Sequence, residues 1–226
     1  MRAALPPAFA IAVQAIPGTE SHALAPLFPE EAEAVARAIP ARRAEFAAGR
    51  AAARAALGRL GKAPCPLPVG PGRAPVWPLG VLGSLTHAAG VAMAVVGPST
   101  AAAGLGLDAE PDADLPADLA EAVLMPSEAK SLTGRRDGLR CARRIFCAKE
   151  AVFKALFPLT GIWAGFEAAE VLAPPPETGT AHVRLCRPFG ARLAGIELSV
   201  AFAFGGGLLM AVVVLPPGII DGVGEQ

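Results

Sequence analysis

Apolar residues in the first part of the chain repeat with two periods, one typical of strands and one typical of helices. A short apolar run predicts a first strand around residues 9–16. Two stretches with helical spacing follow, FPEEAEAVARAI and PARRAEFAAGRAAARAALGRLG. The second has Pro40 near its start and Gly61 just past its end, the usual places for these residues at helix ends.

The middle of the chain changes from helical to strand-like patterns. A segment rich in proline and glycine, 64–83, predicts an irregular ordered loop or a short hairpin. Strands are expected at 83–87 and 91–96, and GLGLDAE (Gly104–Glu110) predicts a third, which Pro111 ends.

The second half repeats this order loosely. A helical stretch near 115–132 leads through GRRDG to a helix that contains FCAKEAVFKAL. Four further strands are predicted, around 167–172, 180–186, 196–204 and 208–215. The last residues, GIIDGVGEQ, are expected to be mobile.

Helices followed by meandering strands, twice over, predict an α+β chain of two similar lobes. The join is expected near 100–106, which gives lobes of 1–105 and 106–226. We find no residue-level repeat between the halves, so the duplication is inferred from the order of elements.

Composition narrows the class of protein. Twenty basic and twenty acidic residues give a net charge of zero, which argues against a general binder of nucleic acid or of membrane surfaces. The hydrophobic fraction is 53% and the mean hydropathy +0.47, but runs such as LLMAVVVL are far shorter than the roughly 20 residues of a membrane span. No membrane span is therefore predicted.

The predicted location is the cytoplasm. MRAALPPAFAIAVQAIPG matches a signal peptide weakly, because two prolines interrupt it and no clear cleavage site follows. The four cysteines show no CxxC pair and no disulfide-dense spacing, so they are interpreted as small buried hydrophobes in a reducing compartment.

The helix containing FCAKEAVFKAL (Phe146–Leu156) has a lysine within its apolar face. At about 100° per residue, one arc carries apolar side chains: Ile145, Phe146, Val152, Phe153, Leu156 and Phe157. Lys149 lies inside this arc, Glu150 at its edge and Lys154 just beyond it. Burying an unpaired ammonium costs several kcal/mol, so Lys149 is expected either to face an anion or to extend its amine to solvent.

Asp108 and Glu110 share one face of the predicted strand, since residues i and i+2 point the same way. Adjacent carboxylates repel unless a cation lies between them, and such oxygen ligands suit Mg²⁺. The alternative is an exposed strand end with two solubilising residues. Glu150, flanked by Lys149 and Lys154, adds a third carboxylate and favours a site for a metal and a phosphate. A surface ion pair at i,i+4 spacing is the alternative for Glu150 and Lys154.

These segments resemble the two signature motifs of the 4′-phosphopantetheinyl transferases, G-L-D-A-E (Gly106–Glu110) and F-C-A-K-E-A-V-F-K-A-L. Further agreement is found in RAAARAALGRLG, APVWPLGVLGSLTHAAG, DAEPDADLP and KALFPLTGIWAGFE. The likeness is to the long, single-chain bacterial type, which primes carrier proteins of siderophore, polyketide and lipid synthesis. It covers roughly residues 45–170, with the motifs in order.

The resemblance implies an activity and an architecture. Such enzymes transfer the 4′-phosphopantetheine arm of coenzyme A to a serine of an apo carrier protein and release adenosine 3′,5′-bisphosphate. Two α+β lobes are implied, related by a pseudo-two-fold axis, with coenzyme A in the cleft between them. The lobe 1–105 would hold the adenosine and 3′-phosphate, and the lobe 106–226 the metal and pyrophosphate.

Residue roles in the second lobe follow from the same resemblance. Asp108, Glu110 and Glu150 match the positions that bind Mg²⁺, with Mn²⁺ as an alternative, and Asp108 lies beside coenzyme A. Lys149 and Lys154 match phosphate-contacting lysines, and Lys154 is also a catalytic candidate. Glu150 is the first candidate for the base that activates the serine. Glu128 is a weaker candidate, and Cys147, opposite Lys149 on the helix, is assigned no role.

In the first lobe, Arg50 and Arg54 lie at i,i+4 spacing and would repel each other mildly, and an anionic ligand would relieve this repulsion. The alternative is that both arginines lie on a solvated helix face. The resemblance assigns them and four other residues to the adenosine end of coenzyme A, with the histidine at its 3′-phosphate: Arg50, Arg54, Arg73, Ser84, Thr86 and His87.

The expected partners are coenzyme A and apo acyl or peptidyl carrier proteins, the latter beside the region 157–166, and the protein is expected to be a monomer. Two other classes of protein remain open at this point. One is a noncatalytic module that binds coenzyme A or a nucleotide, and the other is a structural protein whose motifs are coincidental.

Overall fold

The computed structural model describes residues 5–18, 24–176, 179–186, 189 and 193–219. The chain divides into two compact units, residues 6–102 and the residues from 103 onward, the latter together with Leu5. Each unit combines helices with an antiparallel sheet.

The first unit is a long helix packed on a three-stranded sheet. Its elements are β1 (Ala10–Ala15), α1 (Pro29–Ala34), α2 (Pro40–Arg59), β2 (Val81–Ala88) and β3 (Val91–Pro98). The strand order is β1-β3-β2. Alanine-rich positions of α2 form the core with the sheet, so the helix lies close to it: Ala52, Ala53, Ala56 and Leu57 pack with Ala94 and Val96.

The second unit places its longest helix on a five-stranded sheet. Its elements are β4 (Gly104–Pro111), α3 (Ala117–Val123), α4 (Pro126–Leu132), α5 (Gly138–Thr160), β5 (Ala169–Val171), β6 (Gly179–Leu185), β7 (Glu197–Gly205) and β8 (Leu208–Leu215). The strand order is β4-β8-β7-β6-β5. Ala148, Ala151 and Val152 of α5 are fully buried in this core.

Helix α5 crosses β4 at unusually short range. A side chain at Gly104 would meet the carbonyl oxygen of Ala155 at 2.6 Å, and one at Gly106 would overlap the carbonyl of Ala151. Only glycine permits this approach, which brings the polar end of β4 against the helix.

The two units share one topology. Each has a first strand, a short helix that begins with proline, a long helix and a final pair of strands, and in each the last strand pairs with the first. The second unit adds α3, β5 and β6. The predicted α+β class with two similar lobes is therefore confirmed.

Several predicted elements have different bounds. The helix predicted near 115–132 is two helices, α3 and α4, because Leu124 and Met125 are extended and Pro126 begins the second. The first predicted helix ends early, at Ala34. The segment 64–83 contains a 3₁₀ turn, Pro71–Arg73, between the bridged residues Val69 and Pro75.

Two expectations concern the membrane and the tail. Among the described residues, every helix is too short or too polar to cross a bilayer. The tail that was expected to be mobile lies, beyond Ile219, outside the described residues.

Candidate functional site

The two signature segments meet through Asp108 of β4 and Lys154 of α5. The Lys154 ammonium donates a hydrogen bond to Asp108 Oδ1 at 2.6 Å. Asp108 is 4% exposed, whereas the Lys154 side chain keeps 27% of its surface in contact with solvent. The pair therefore places a partly accessible positive charge over a buried carboxylate.

Glu110 lies at the same end of β4 and is bound by an arginine. Arg143 Nη1 donates to Glu110 Oε2 at 2.7 Å, while Nη2 donates to the carbonyl of Asp114 at 2.9 Å. Burial and the neighbouring Asp108 raise the pKa of Glu110, and Arg143 opposes that rise. Arg143 was not among the residues predicted from the sequence. Its spacing was the available signal, since Arg143, Glu150 and Lys154 fall within about 60° of arc on one helix.

Glu150 is the third acidic group of the cluster. Burial, in the first place, and then the charge of Asp108 raise its pKa; Lys154 lowers it, and Glu110 adds a smaller rise. No side chain or backbone group in the described part of the chain donates a hydrogen bond to its carboxylate. A half-buried carboxylate without a donor is suited to accept a proton or a cation.

The three predicted metal ligands lie within electrostatic range of one another. In the described residues, however, no three carboxylate, histidine or cysteine side chains converge closely enough to hold a metal ion. Lys154 and Arg143 supply the positive charge that this acidic set needs. The oxygen donors suit Mg²⁺ in their chemistry, and a bound ion would replace one or both of these ion pairs.

Cys147 also faces the cluster, contrary to its predicted place away from the site. Burial raises the pKa of its fully buried thiol well above the usual value, and a hydrogen bond and the charge of Asp108 contribute. The thiol is therefore held neutral beside Asp108, and it lies on the arc of α5 that carries Glu150 and Lys154.

Lys149 projects to another side of α5, about 140° around the helix from Lys154. Its ammonium is 2% exposed and donates to Glu128 Oε2 at 2.7 Å, to the carbonyl of Val123 at 2.9 Å and to that of Phe166 at 3.1 Å. Its three donors are thus all used. The anion expected to face Lys149 is a glutamate of the protein, and the structure does not bring Lys149 together with Lys154 as a phosphate site would require.

Glu128 is equally occupied. Besides the lysine, its carboxylate accepts the backbone N–H of Met125 and that of Val171, both at 2.7 Å, and it is 1% exposed. Three donors fill most of the acceptor sites of this buried carboxylate, so few are left for a substrate hydroxyl. This geometry disfavours Glu128 as the base.

In the first unit, Arg54 forms a similar buried pair. Its Nη1 lies 2.9 Å from both carboxylate oxygens of Glu31, and its Nη2 donates to the carbonyl of Pro26. Glu31 is fully buried and also accepts the N–H groups of Phe28 and Leu67. Arg54 differs from the prediction in the same way as Lys149, since its guanidinium is engaged by the fold.

Arg50 keeps unused hydrogen-bonding capacity. It is 4% exposed, lies 4.3 Å over the ring of Phe46, and approaches Glu31 only to 3.9 Å. Its buried Nε–H has no acceptor among the described residues. Burial, partly offset by Glu31, lowers its pKa to about 10. An anionic ligand would satisfy this donor.

His87 lies beside α2 at the end of β2. Its Nε2 is 3.4 Å from Glu45 Oε2, and Arg42 donates to the same oxygen at 3.1 Å. Arg42 and Glu45 were not predicted from the sequence, although their i,i+3 spacing on a helix indicates an ion pair.

The remaining candidates of the first unit are dispersed. Ser84 and Thr86 are buried on the opposite face of β2 from His87, because adjacent strand residues alternate. Arg73 is exposed on the 3₁₀ turn with a positive φ of 65°, a conformation that costs non-glycine residues energy. The strand therefore does not direct the two hydroxyls and the imidazole to one ligand atom.

Two family models match the chain, one in each unit. Residues 30–97 match the model of the 4′-phosphopantetheinyl transferase N-terminal domain, and residues 104–206 match that of the 4′-phosphopantetheinyl transferase superfamily. The chain is 46% identical to 4′-phosphopantetheinyl transferase Svp of Streptomyces mobaraensis, over 94% of this chain and 88% of that protein.

Two other relatives are similar over shorter stretches. 4′-Phosphopantetheinyl transferase PptT of Mycobacterium tuberculosis is 45% identical over 69% of each chain. 4′-Phosphopantetheinyl transferase Npt of Nocardia iowensis is 41% identical over 63% of this chain and 64% of that protein.

Proposed function

Since this chain belongs to the 4′-phosphopantetheinyl transferase superfamily, we propose that it moves the 4′-phosphopantetheine group of coenzyme A onto a serine of a carrier protein. It is an enzyme of the transferase class. The observation that carries the site assignment is the contact between Asp108 and Lys154, which joins the two signature segments at one cluster of charges.

In the reaction, the serine hydroxyl attacks the phosphorus that carries the pantetheine arm. A new P–O bond forms to the serine, the P–O bond to the adenosine half breaks, and adenosine 3′,5′-bisphosphate leaves. The serine proton needs an acceptor, and Glu150 is the proposed base. Its raised pKa and lack of a hydrogen-bond donor within the described residues support this role.

Lys154 is the proposed contact for the diphosphate. Its ammonium is held at Asp108 yet remains partly exposed, so it can also donate to a phosphate oxygen. A fixed positive charge at this point stabilises the negative charge that develops on the leaving phosphate.

Asp108, Glu110 and Glu150 would hold a divalent cation, Mg²⁺ or Mn²⁺. When bound, such an ion supplies positive charge to the pyrophosphate. Asp108 raises the pKa of both Glu110 and Glu150, and Glu110 adds to the rise at Glu150, which supports this set.

For the adenosine end of coenzyme A, we propose Arg50 and His87 as the first contacts. Arg50 has a buried donor to satisfy, and His87 is half exposed. Arg73, Ser84 and Thr86 stay predictions. A monomer in the cytoplasm is likewise proposed.

The test is transfer itself. The protein is incubated with coenzyme A, Mg²⁺ and each of a panel of apo carrier proteins, and the carriers are weighed by mass spectrometry. The expected result is a mass gain of one phosphopantetheine on at least one carrier, lost when its serine is changed to alanine. Coenzyme A binding without any gain across the panel would instead indicate a noncatalytic binding module.

A further inference from the structure

Lys149 and Glu128 form a buried pair whose hydrogen-bonding positions are almost all used by the protein. Lys149 gives its three donors to Glu128, Val123 and Phe166, and Glu128 also accepts from Met125 and Val171. Lys149 has no donor left for a substrate, and the buried Glu128 has three of its about four acceptor sites filled. We infer that Lys149 and Glu128 are a positioning pair for the charged cluster on the other side of α5, an inference that rests on the proposed function.

The pair connects α5 to three separate segments. Val123 is the last residue of α3, Phe166 begins a 3₁₀ turn, and Val171 ends β5. Lys149 thus anchors one side of α5. Another side rests on Gly106 of β4, where no side chain intervenes.

Anchors on two sides determine the rotation of α5 about its axis. Successive residues lie about 100° apart around a helix. A turn of α5 by a fraction of that angle would therefore move Glu150 and Lys154 away from Asp108. The Lys154–Asp108 contact of 2.6 Å leaves little room for such a turn. Lys149 directly precedes Glu150, so the pair acts where the rotation matters most.

The first unit contains a matching buried ion pair, so the arrangement occurs once in each unit. Leu-Phe-Pro-Glu-Glu (27–31) and Leu-Met-Pro-Ser-Glu (124–128) begin corresponding helices, α1 and α4. In both, the glutamate at the third helical position is buried and accepts the N–H of the residue before the proline. Each glutamate also binds a cation from the following long helix, Arg54 or Lys149. The repeat that the sequence analysis did not find is therefore present, as a structural motif.

The two pairs differ in what lies beside them. Lys149 adjoins Glu150 in sequence, and the same helix, α5, also carries Lys154. Arg54 and Glu31 support the loop at Pro26 and Leu67. Loss of either pair removes a buried ion pair, but only the loss of Lys149–Glu128 is expected to displace the acidic cluster. Glu31→Gln is therefore a control with a comparable loss of buried charge.

The experiment is a double-mutant cycle on the full chain with Lys149→Met, Glu128→Gln and both together. Melting temperature, kcat and the KM for coenzyme A are measured, the latter two at a temperature where every variant is folded. Each single variant leaves one buried charge without its partner, so both are expected to melt lower than the wild type. Displacement of catalytic groups by about 1 Å lowers rates by up to about 10²-fold, so kcat is expected to fall at least about 10-fold, with the KM for coenzyme A changed less than about 2-fold.

The combined variant removes both charges, so it is expected to recover part of the melting temperature, which is non-additive behaviour. Its kcat is expected to stay low, because the hydrogen bonds of Lys149 that anchor α5 are still missing. Glu31→Gln is expected to lower the melting temperature while kcat at saturating coenzyme A falls less than about 2-fold, since it does not touch α5.

Three outcomes would overturn the inference. A raised KM for coenzyme A in Lys149→Met, with Glu128→Gln near normal, would make Lys149 a ligand contact. A loss of kcat in Glu128→Gln far larger than that in Lys149→Met, at a similar melting temperature, would make Glu128 a catalytic group. Normal kcat in both folded single variants would leave the pair a purely structural one. The wild-type protein in the same assay reports separately on the proposed function, because its failure to transfer would contradict that function and not the pairing measured by melting.

Discussion

Lys154 of α5 and Asp108 of β4 lie 2.6 Å apart, although 46 positions separate them in the chain. The contact depends on the glycines of β4, which allow α5 to approach the strand. It leaves the Lys154 ammonium partly exposed over a buried carboxylate, and a partly exposed positive charge is what the proposed contact with the diphosphate needs.

Loss of the charged cluster should remove catalysis while the fold survives. Asp108→Ala, Glu150→Ala and Lys154→Met are each expected to lower the rate of phosphopantetheine transfer at least about 10²-fold, the usual scale for a charge-stabilising group. Steady-state kinetics with a competent carrier measures this, and circular dichroism checks the fold. Near-normal turnover from folded Glu150→Ala would contradict both its base role and its metal role.

Glu150→Gln is expected to stabilise the protein at neutral pH in the absence of divalent cations. Folding raises the pKa of Glu150, chiefly through burial. A raised carboxyl pKa contributes stability below the unfolded value, and that contribution is lost as the pH rises through the folded value. The wild type therefore carries a charged, desolvated carboxylate at pH 7 that the amide avoids. The difference in melting temperature between variant and wild type should shrink as the pH falls towards about 4.5, the unfolded value.

Comparison of the wild type with Glu150→Gln also tests whether Glu150 binds the divalent cation. If Glu150 is a ligand, Mg²⁺ should raise the melting temperature of the wild type and have a smaller effect on Glu150→Gln, since a ligand that binds only the folded state stabilises it. An equal response of both proteins to Mg²⁺ would exclude Glu150 from the site.

Gly106→Ala is expected to destabilise the second unit by several kcal/mol, because the added methyl overlaps the Ala151 carbonyl and α5 must move away from β4. Transfer activity should fall with it. Gly58→Ala is the matched control, since an added methyl at that position in α2 meets nothing within 4 Å. Replacing a glycine by alanine inside a helix raises the free energy of unfolding by about 0.5–1 kcal/mol. Denaturant titration should therefore show changes of opposite sign in the free energy of unfolding of the two variants.

Arg50 and Arg54 should behave differently despite their similar places on α2. Arg54→Met leaves Glu31 buried with little compensation, at an expected cost of about 3–5 kcal/mol, and isothermal denaturation measures this loss. Arg50→Met should cost less, because within the described residues its one carboxylate contact is at 3.9 Å. If Arg50 binds coenzyme A, its variant should instead raise the KM for coenzyme A. An unchanged KM would remove Arg50 from the ligand site.

Trp163 is expected to contribute to carrier recognition. Trp163 is 74% exposed, and its ring packs edge-on against the rings of Phe153 and Phe157 near the end of α5. The ring centroids are 5.2 and 5.6 Å from that of Trp163. Exposed aromatic residues of this kind are typical of protein interfaces. Trp163→Ala should raise the KM for the carrier without changing that for coenzyme A. An unchanged carrier KM would direct the search to another surface.

The sequence by itself determined the class of the fold, the order of most elements and the family. Alternation and helical spacing depend on local burial, and they located β4, α2 and α5 within a few residues. It also singled out Asp108, Glu150 and Lys154, because adjacent carboxylates repel unless a cation lies between them, and lysines beside a further carboxylate favour a site for a metal and a phosphate.

Only the tertiary structure decided which charges face which. Periodicity places Lys149 in an apolar arc but cannot tell an external phosphate from an internal carboxylate, because Glu128 comes from another helix, 21 positions away. The same holds for Arg54 with Glu31 and for Arg143 with Glu110. Partners of buried charges are chosen by long-range packing, which local sequence patterns do not record.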